Sequence, residues 1–468
     1  MKKKVISVLL SMAMIASLTA CGGGSGDTGA SDSAGDAAAT EDSAPADDAA
    51  ATDDAAAGEE AAVTEGAAAS DNTLTVWTWD PNFNVYAIQK AAEIYAQDHE
   101  GFTVEVSEVQ SDDIETRITT AVSAGDLSTL PDIFLMQDNS FQKYVINYPD
   151  VFTDLTSSGI NFGDFSAAKV AYSTIDGKNY GIPFDNGTVI NCVRTDILEQ
   201  AGYTVDDFTD ITWSDYMEKA KVVLEKTGVP MLTAQAGSPD QVMMMLQSCG
   251  SSLFNEDGTV NIDGNAELKE IMNVYIQMVQ DGTLVEVTDW DQYIASLNNG
   301  TAASAMNGCW IMASITPVED QSGKWALTNM PKLDNIANAT NYSNNGGSSW
   351  AISSNCQKVD LAVDFMNSTF AGSTALYDDV ITKGALATWA PAGESEAYAQ
   401  PVEFFGGDAI YAKIVDFATK TPSNITGAFY YDARDAVGVA LSNICQQGAD
   451  MDSEIKTAQE TVEFNMGG

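Results

Sequence analysis

Leu74-Thr75-Val76-Trp77-Thr78-Trp79, followed by Asp80-Pro81-Asn82, joins a run of β-branched and aromatic residues to a loop that its proline enforces. Beyond the loop, Val85, Ile88, Ala92 and Tyr95 keep helical spacing on one face. The unit is strand, loop, helix, and it recurs. Phe102 to Val109 alternates as a second strand, a helix runs through Ile114 to Val122, and Pro131-Asp132-Ile133-Phe134-Leu135-Met136 reads as a short buried strand ending in Gln137-Asp138-Asn139-Ser140. Strands alternating with helices predict a parallel sheet in an α/β fold. Such sheets take ligands beyond the carboxyl ends of their strands, so Trp79-Asp80, with Asn82, and Asp138-Asn139 stand where a site is expected.

Further along come Tyr180-Gly181-Ile182-Pro183-Phe184-Asp185-Asn186-Gly187, an apolar strand from Thr188 to Val193, and Arg194-Thr195-Asp196-Ile197-Leu198-Glu199-Gln200-Ala201-Gly202. Thr212-Trp213-Ser214-Asp215 has the form of a capping box, Thr212 bonding an early N–H and Asp215 reaching back, and opens a helix to about Lys226. Phe254 to Ile262, with Asp257-Gly258 inside, reads as a hairpin. A helix through Leu268 to Val279 follows, another lies near Tyr293 to Asn298, and a strand from Ala302 to Met306 ends in Asn307-Gly308-Cys309-Trp310. The residues from Asn72 onward exceed what one core usually supports, which predicts two domains.

What precedes them is different. Lys2, Lys3 and Lys4 and the uncharged stretch Val5 to Ala20 read as a secretory leader too short to span a bilayer comfortably (residues 1–20). Leu18-Thr19-Ala20-Cys21 followed by Gly22-Gly23-Gly24 resembles the bacterial lipobox, which implies that Cys21 becomes an acylated N-terminus. Residues 21–71 are small and acidic, without an aromatic residue or a Lys or Arg; a disordered tether with a reach of roughly 40 Å is expected. The chain's formal charge of −46 disfavours nucleic acid and anionic lipid as partners, leaving the anchor as the expected membrane contact. Beyond Cys21, the cysteines Cys192, Cys249, Cys309, Cys356 and Cys445 are odd in number and widely spaced, so no disulfide framework is implied.

Taken together, the Tyr180-Gly-Ile-Pro segment with Thr195-Asp-Ile-Leu-Glu-Gln-Ala-Gly, the Thr212-Trp-Ser-Asp helix start, Met306-Asn307-Gly308-Cys309-Trp310 and Gly346-Gly347-Ser348-Ser349-Trp350-Ala351-Ile352 resemble the family 1 extracellular solute-binding proteins of ABC importers. They occur in the family's order from Asn72 to the C-terminus. One departure is Cys192-Val193-Arg194, where the family has Tyr-Tyr-Asn or similar. The resemblance implies a class II periplasmic-binding-protein fold: two α/β lobes joined by a multi-crossing hinge, with the ligand in the cleft between them. It implies an N-terminal lobe of residues 72–184 and 329–385 and a C-terminal lobe of 185–328 and 386–468. Crossings are expected near Ile182 to Gly187, Thr328 to Pro331 and Gly384 to Thr388. It also implies capture of an extracellular saccharide and its delivery to a permease driven by a separate ATPase, with the receptor a monomer on the outer face of the cell membrane.

Sugars offer C–H faces to aromatic rings and hydroxyls to paired donors and acceptors. Trp79, Asp80, Asn82, Asp138 and Asn139 would form one wall, with Asp185 and Asn186 at the base. By the resemblance Trp310 and Tyr430 are stacking residues of the other wall, and Arg434, one helical turn from Tyr430, faces the same cleft. Each has a structural alternative: Asp80, Asp138 and Asp185 as helix caps or hinge bonds, Gly346 and Gly347 as a plain turn rather than amides brought close to ligand. Trp77 alternates with Trp79 and is expected in the core, as is most of Met243-Met244-Met245.

Catalytic patterns are missing: there is no G-x-S-x-G, H-E-x-x-H or C-x-x-C, and neither Gly177-Lys178 nor Gly323-Lys324 continues as a Walker A sequence. The lone His99 sits at a helix end, so no catalytic residue, cofactor or metal is expected. A polyamine or peptide cargo fits the same fold, and an exported glycosidase would need only two carboxylates, so both remain alternatives.

Overall fold

The structure, a computed structural model, describes residues 71–467. The leader, the acylation of Cys21 and nearly all of the tether lie outside the described residues. Eleven strands form within them: β1 (Thr73–Thr78), β2 (Thr103–Glu108), β3 (Ile133–Gln137), the two-residue strands β4 (Thr174–Ile175) and β5 (Lys178–Asn179), β6 (Ile182–Arg194), β7 (Leu232–Gln235), β8 (Leu284–Val287), β9 (Ser304–Gly308), β10 (Trp325–Thr328) and β11 (Asn344–Ile352). The main sheet has the order β10-β6-β11-β3-β1-β2, with β9 also on β6. As the sequence predicts, β1 runs parallel to both β2 and β3, and helices Asn84–Tyr95 and Ser111–Ala124 connect them.

The rest of the sheet is not parallel. β11 is antiparallel to β3 and to β6, and β6 is antiparallel to β9 and β10. The reason is β6 itself, which starts six residues before the predicted apolar run and is thirteen residues long. Its first half pairs with β11 and its second half with β9 and β10. One strand therefore belongs to two layers of packing.

Two sets of buried side chains flank this ribbon. Leu74, Val76, Ile88, Ile133, Phe184, Trp350 and Phe365 are core residues of a first lobe. Val193, Trp213, Met243, Met244, Met245, Ile271 and Leu441 are core residues of a second, continued by Ile190, Trp325, Phe405 and Ile414. Large, fully buried aromatic residues fall in both. Each lobe thus carries the apolar burial that stabilises it.

Several expectations need correction. Residues 329–343, predicted in the first lobe, pack with the second: Met330 and Leu333 are in its core, and Asn341 Nδ2 donates to Ile211 O at 2.9 Å and Met330 O at 2.8 Å. The second crossing is therefore β11, where Asn344 pairs with Thr188 and Ser348 with Gln137, not Thr328 to Pro331. The third passage is broader than predicted: Ala385 and Ala392 still pack on the first lobe, Leu386 and Tyr398 on the second. At Thr212 the hydroxyl accepts from Asp215 N at 3.3 Å, but it is shared with Ser214, and a full reciprocal capping box forms at Thr204 and Asp207 instead. Phe254 to Ile262 is a turn closed by one bridge, Phe254 to Val260, rather than a hairpin of strands. Trp77, as expected, packs on a cluster of buried side chains away from the cleft, itself half-buried with the Arg117 guanidinium 5.0 Å over its ring.

Candidate functional site

A cleft of about 780 Å³ opens beyond the carboxyl ends of β1, β2 and β3. Its position follows from the loops there. Asn84, fully buried at the start of its helix, accepts on Oδ1 from Thr78 Oγ1 (2.6 Å), Trp79 N (3.1 Å) and Asp80 N (2.8 Å), which fixes the turn out of β1. Asp80 Oδ1 then accepts from Asn82 N at 2.8 Å and Phe83 N at 3.1 Å. Asp80 thus closes the turn ahead of the helix, whose N-cap Phe83 has no side-chain cap bond, and it lines the cleft beside Trp79 and Asn82.

From the second lobe, Trp310 Nε1 donates to Asn345 O at 2.9 Å, so its indole is held against the crossing strand. Tyr430 opens the helix Tyr430–Gln447, and Tyr431 lies edge-on to it at 5.6 Å. The Arg434 guanidinium sits 5.4 Å over the Tyr431 ring and pairs with Asp240. Tyr431 Oη donates to Gln137 Oε1, and Lys143 pairs with Asp432 at 3.3 Å, so the lobes touch along one rim. Burial pushes the Tyr431 hydroxyl well above its ordinary pKa, keeping it a neutral donor.

Trp79, Asp80, Asn82, Asn139, Asp185, Trp310, Gly346, Gly347, Tyr430 and Arg434 all line this cleft. Asp138 and Asn186 do not; they line a second cavity of about 490 Å³. For Asn186 the reason is strand alternation, since it follows Asp185 in β6 and must point to the opposite face. Asp138 is 2 % exposed and bonded inward: Lys169 Nζ pairs with its Oδ2, and Ser349 Oγ donates to its Oδ1 at 2.8 Å. The same ammonium donates to Asp185 O at 2.5 Å and Ser348 O at 2.8 Å, tying β6 to β11. Ser348 Oγ donates to Asp185 Oδ1 at 2.5 Å. Burial pushes the Asp138 carboxyl up to about 6 against the pull of Lys169, and burial raises Asp185 as well.

Gly346 and Gly347 lie within β11 rather than in a plain turn, and both line the cleft. They sit in an irregular step of β11, where a Cβ on Gly347 would stand 2.7 Å from Asp138 Oδ2 and both φ angles are positive.

The sequence reading passed over Glu108, Gln110, Gln137, Asp240, Trp290, Asn345 and Tyr431, all of which line the cleft. The strand-end rule applied to β2 would have found Glu108 and Gln110. Trp290 opens a helix capped by Asp289, which accepts from Gln292 N at 2.8 Å.

Two lobes joined by strands that pass through both, with a polar and aromatic cleft between, define a solute-binding protein, and the chain belongs to the bacterial extracellular solute-binding protein family, whose model matches residues 90–405. Among its relatives is the lactose-binding protein of Rhizobium radiobacter, 36 % identical over 388 residues, 83 % of this chain and 91 % of that protein. An arabinooligosaccharide-binding protein of Halalkalibacterium halodurans is 22 % identical over 408 residues, 83 % of this chain and 85 % of the other. The fold matches that of an ABC transporter associated binding protein from B. animalis subsp. lactis Bl-04 solved with β-1,6-galactobiose, with a TM-score of 0.70 and 22 % identity over 83 % of this chain and 96 % of that one.

Proposed function

We propose that this chain is the extracytoplasmic receptor of an ABC importer for a β-galactoside, a di- or oligosaccharide rather than a monosaccharide. The observation that carries the reading is the cleft that faces Trp79 of one lobe toward Trp310 and Tyr430 of the other, with Asp80, Asn139, Asp185 and Arg434 between. Flat rings take the C–H faces of a pyranose, while carboxylates, amides and the guanidinium pair with its hydroxyls. The 36 % identity to a lactose-binding protein supports galactose as the sugar.

The ligand touches both walls only when the lobes are shut, so binding shifts the population toward the closed form. Cys21 carries the acyl anchor, residues 21–71 hold the body off the membrane, and a permease with a separate ATPase accepts the closed monomer. The receptor leaves its sugar intact.

The test is a thermal-shift panel of lactose, β-1,6-galactobiose, maltose and spermidine on the intact chain. A galactoside at about 100 times its Kd contributes about 2.7 kcal/mol, a shift of several degrees. A response to spermidine alone overturns the sugar reading, and shortening of lactose on prolonged incubation overturns the non-catalytic one.

A further inference from the structure

We infer that Trp290 forms an outer aromatic subsite of the cleft and sets the preference for ligand length; this rests on the proposed saccharide reading. Trp290 is 37 % exposed, although indoles of this size are usually well covered. One face of its ring stacks on Tyr293, with centroids 5.0 Å apart and planes 23° apart. On its flank is Trp310, 5.8 Å away and tilted by 46°. Both indoles line the same cleft.

Their order along the cleft follows from the hinge. Trp310 is bonded to the carbonyl of Asn345 in β11, so it is the inner of the two; Trp290, the more exposed indole, opens the helix Trp290–Asn298 and is the next ring outward.

The opposite wall runs just as far. It begins at Asp185 of β6 and passes Gln137 at the end of β3 and Trp79 at the end of β1 before reaching Glu108 at the end of β2, the edge strand. From β6 across β11, β3 and β1 to β2 is four strand spacings, or roughly 19 Å at about 4.8 Å each. One pyranose ring cannot fill such a wall. Two neighbouring indoles in one cleft, 5.8 Å apart and tilted by 46°, match consecutive rings of a glycan, and the Asp291 carboxylate beside Trp290 and Gln110 of the other wall supply hydroxyl partners.

A monosaccharide seated at Trp310 would leave Trp290 exposed as it stands. A longer glycan covers it. Length preference is then an energy difference made at one side chain, on the order of tenfold for one aromatic stacking contact.

The experiment is calorimetric titration of the intact chain with galactose and with lactose. The wild type is expected to bind lactose about tenfold more tightly, Trp290→Ala to bring the two within about threefold, and Trp290→Phe to keep most of the preference. An unchanged circular-dichroism melt of Trp290→Ala controls for folding, and the Phe variant reports on the subsite if the Ala variant melts early. Equal affinity of the wild type for the two sugars, or loss of affinity in Trp290→Ala that is the same for both, overturns the subsite. Absence of binding to either sugar by the wild type is a separate result: it overturns the saccharide reading itself.

Discussion

Replacing Lys169 by methionine tests the heart of the hinge. The side chain is 2 % exposed, and its ammonium pairs with Asp138 while donating to the carbonyls of Asp185 and Ser348. Methionine nearly matches its length, so the variant loses charge and donors with little loss of volume. What remains is a buried carboxylate without a cation, beside the buried Asp185 and two carbonyls that have each lost the lysine's donor. Breaking a buried pair from one side costs about 3–5 kcal/mol. At roughly 2 °C per kcal/mol for a body of this size, the midpoint should fall by about 6–10 °C.

The pH dependence has a definite sign. Burial raises folded Asp138 to about 6 from an ordinary 3.8, so the folded state keeps a proton that the unfolded chain has released. The contribution of this group to stability is therefore highest below about pH 4 and declines as pH rises through about 6. In Lys169→Met the cation opposing that rise is gone, and the decline should extend above pH 6. Adding Asp138→Asn should restore part of the loss and flatten the profile, a coupling of more than about 1 kcal/mol. Urea unfolding followed by tryptophan fluorescence at pH 5, 6, 7 and 8 reads all of this. A loss under 1 kcal/mol in the single variant, or additive effects in the double, would refute the picture of a buried, mutually dependent pair.

Trp310→Ala should weaken saccharide binding at least about tenfold and abolish the sugar-induced change in tryptophan emission, read by fluorescence titration; wild-type affinity would remove Trp310 from the site. Gly187→Ala should cost about 3 kcal/mol or more by chemical denaturation, because the new Cβ would fall 1.9 Å from Asn345 O and push β6 off β11. Tyr431→Phe deletes the hydroxyl that bridges to Gln137. One hydrogen bond of about 1 kcal/mol gives an approximately fivefold weaker Kd with an unchanged melt of the ligand-free protein, and an unaltered Kd would show that this rim contributes nothing to closure.

How far the sequence could be read depended on the range of the interactions concerned. The units around Thr73–Thr78 and Ile133–Gln137 were legible because their periodicity and turn chemistry are local, and Met243, Met244 and Met245 are buried as expected. The pairing of β6 with three partners was not, because it depends on residues more than a hundred positions away. The same limit explains why residues 329–343 were given to the wrong lobe. Asp185 and Asn186 were read as one base of one cleft, although the period of two along a strand separates them, and no pattern near Asp138 signals that Lys169 claims it from another helix. Trp290 escaped notice because a tryptophan in a first helical turn looks like core until its neighbours are known.

Since β6 and β11 are hydrogen-bonded to each other, with β11 also paired to β3 on one side and β6 to β9 and β10 on the other, the two halves are not linked by a loose joint. Opening must twist a short antiparallel band whose ends are clamped. Such an element resists in proportion to the angle imposed and returns by itself, as a torsion bar does. Its stiffness, fixed by Lys169 and the glycine contacts along it, then sets how wide the mouth gapes between visits of cargo, and a stiffer bar would trade rapid release for tighter retention.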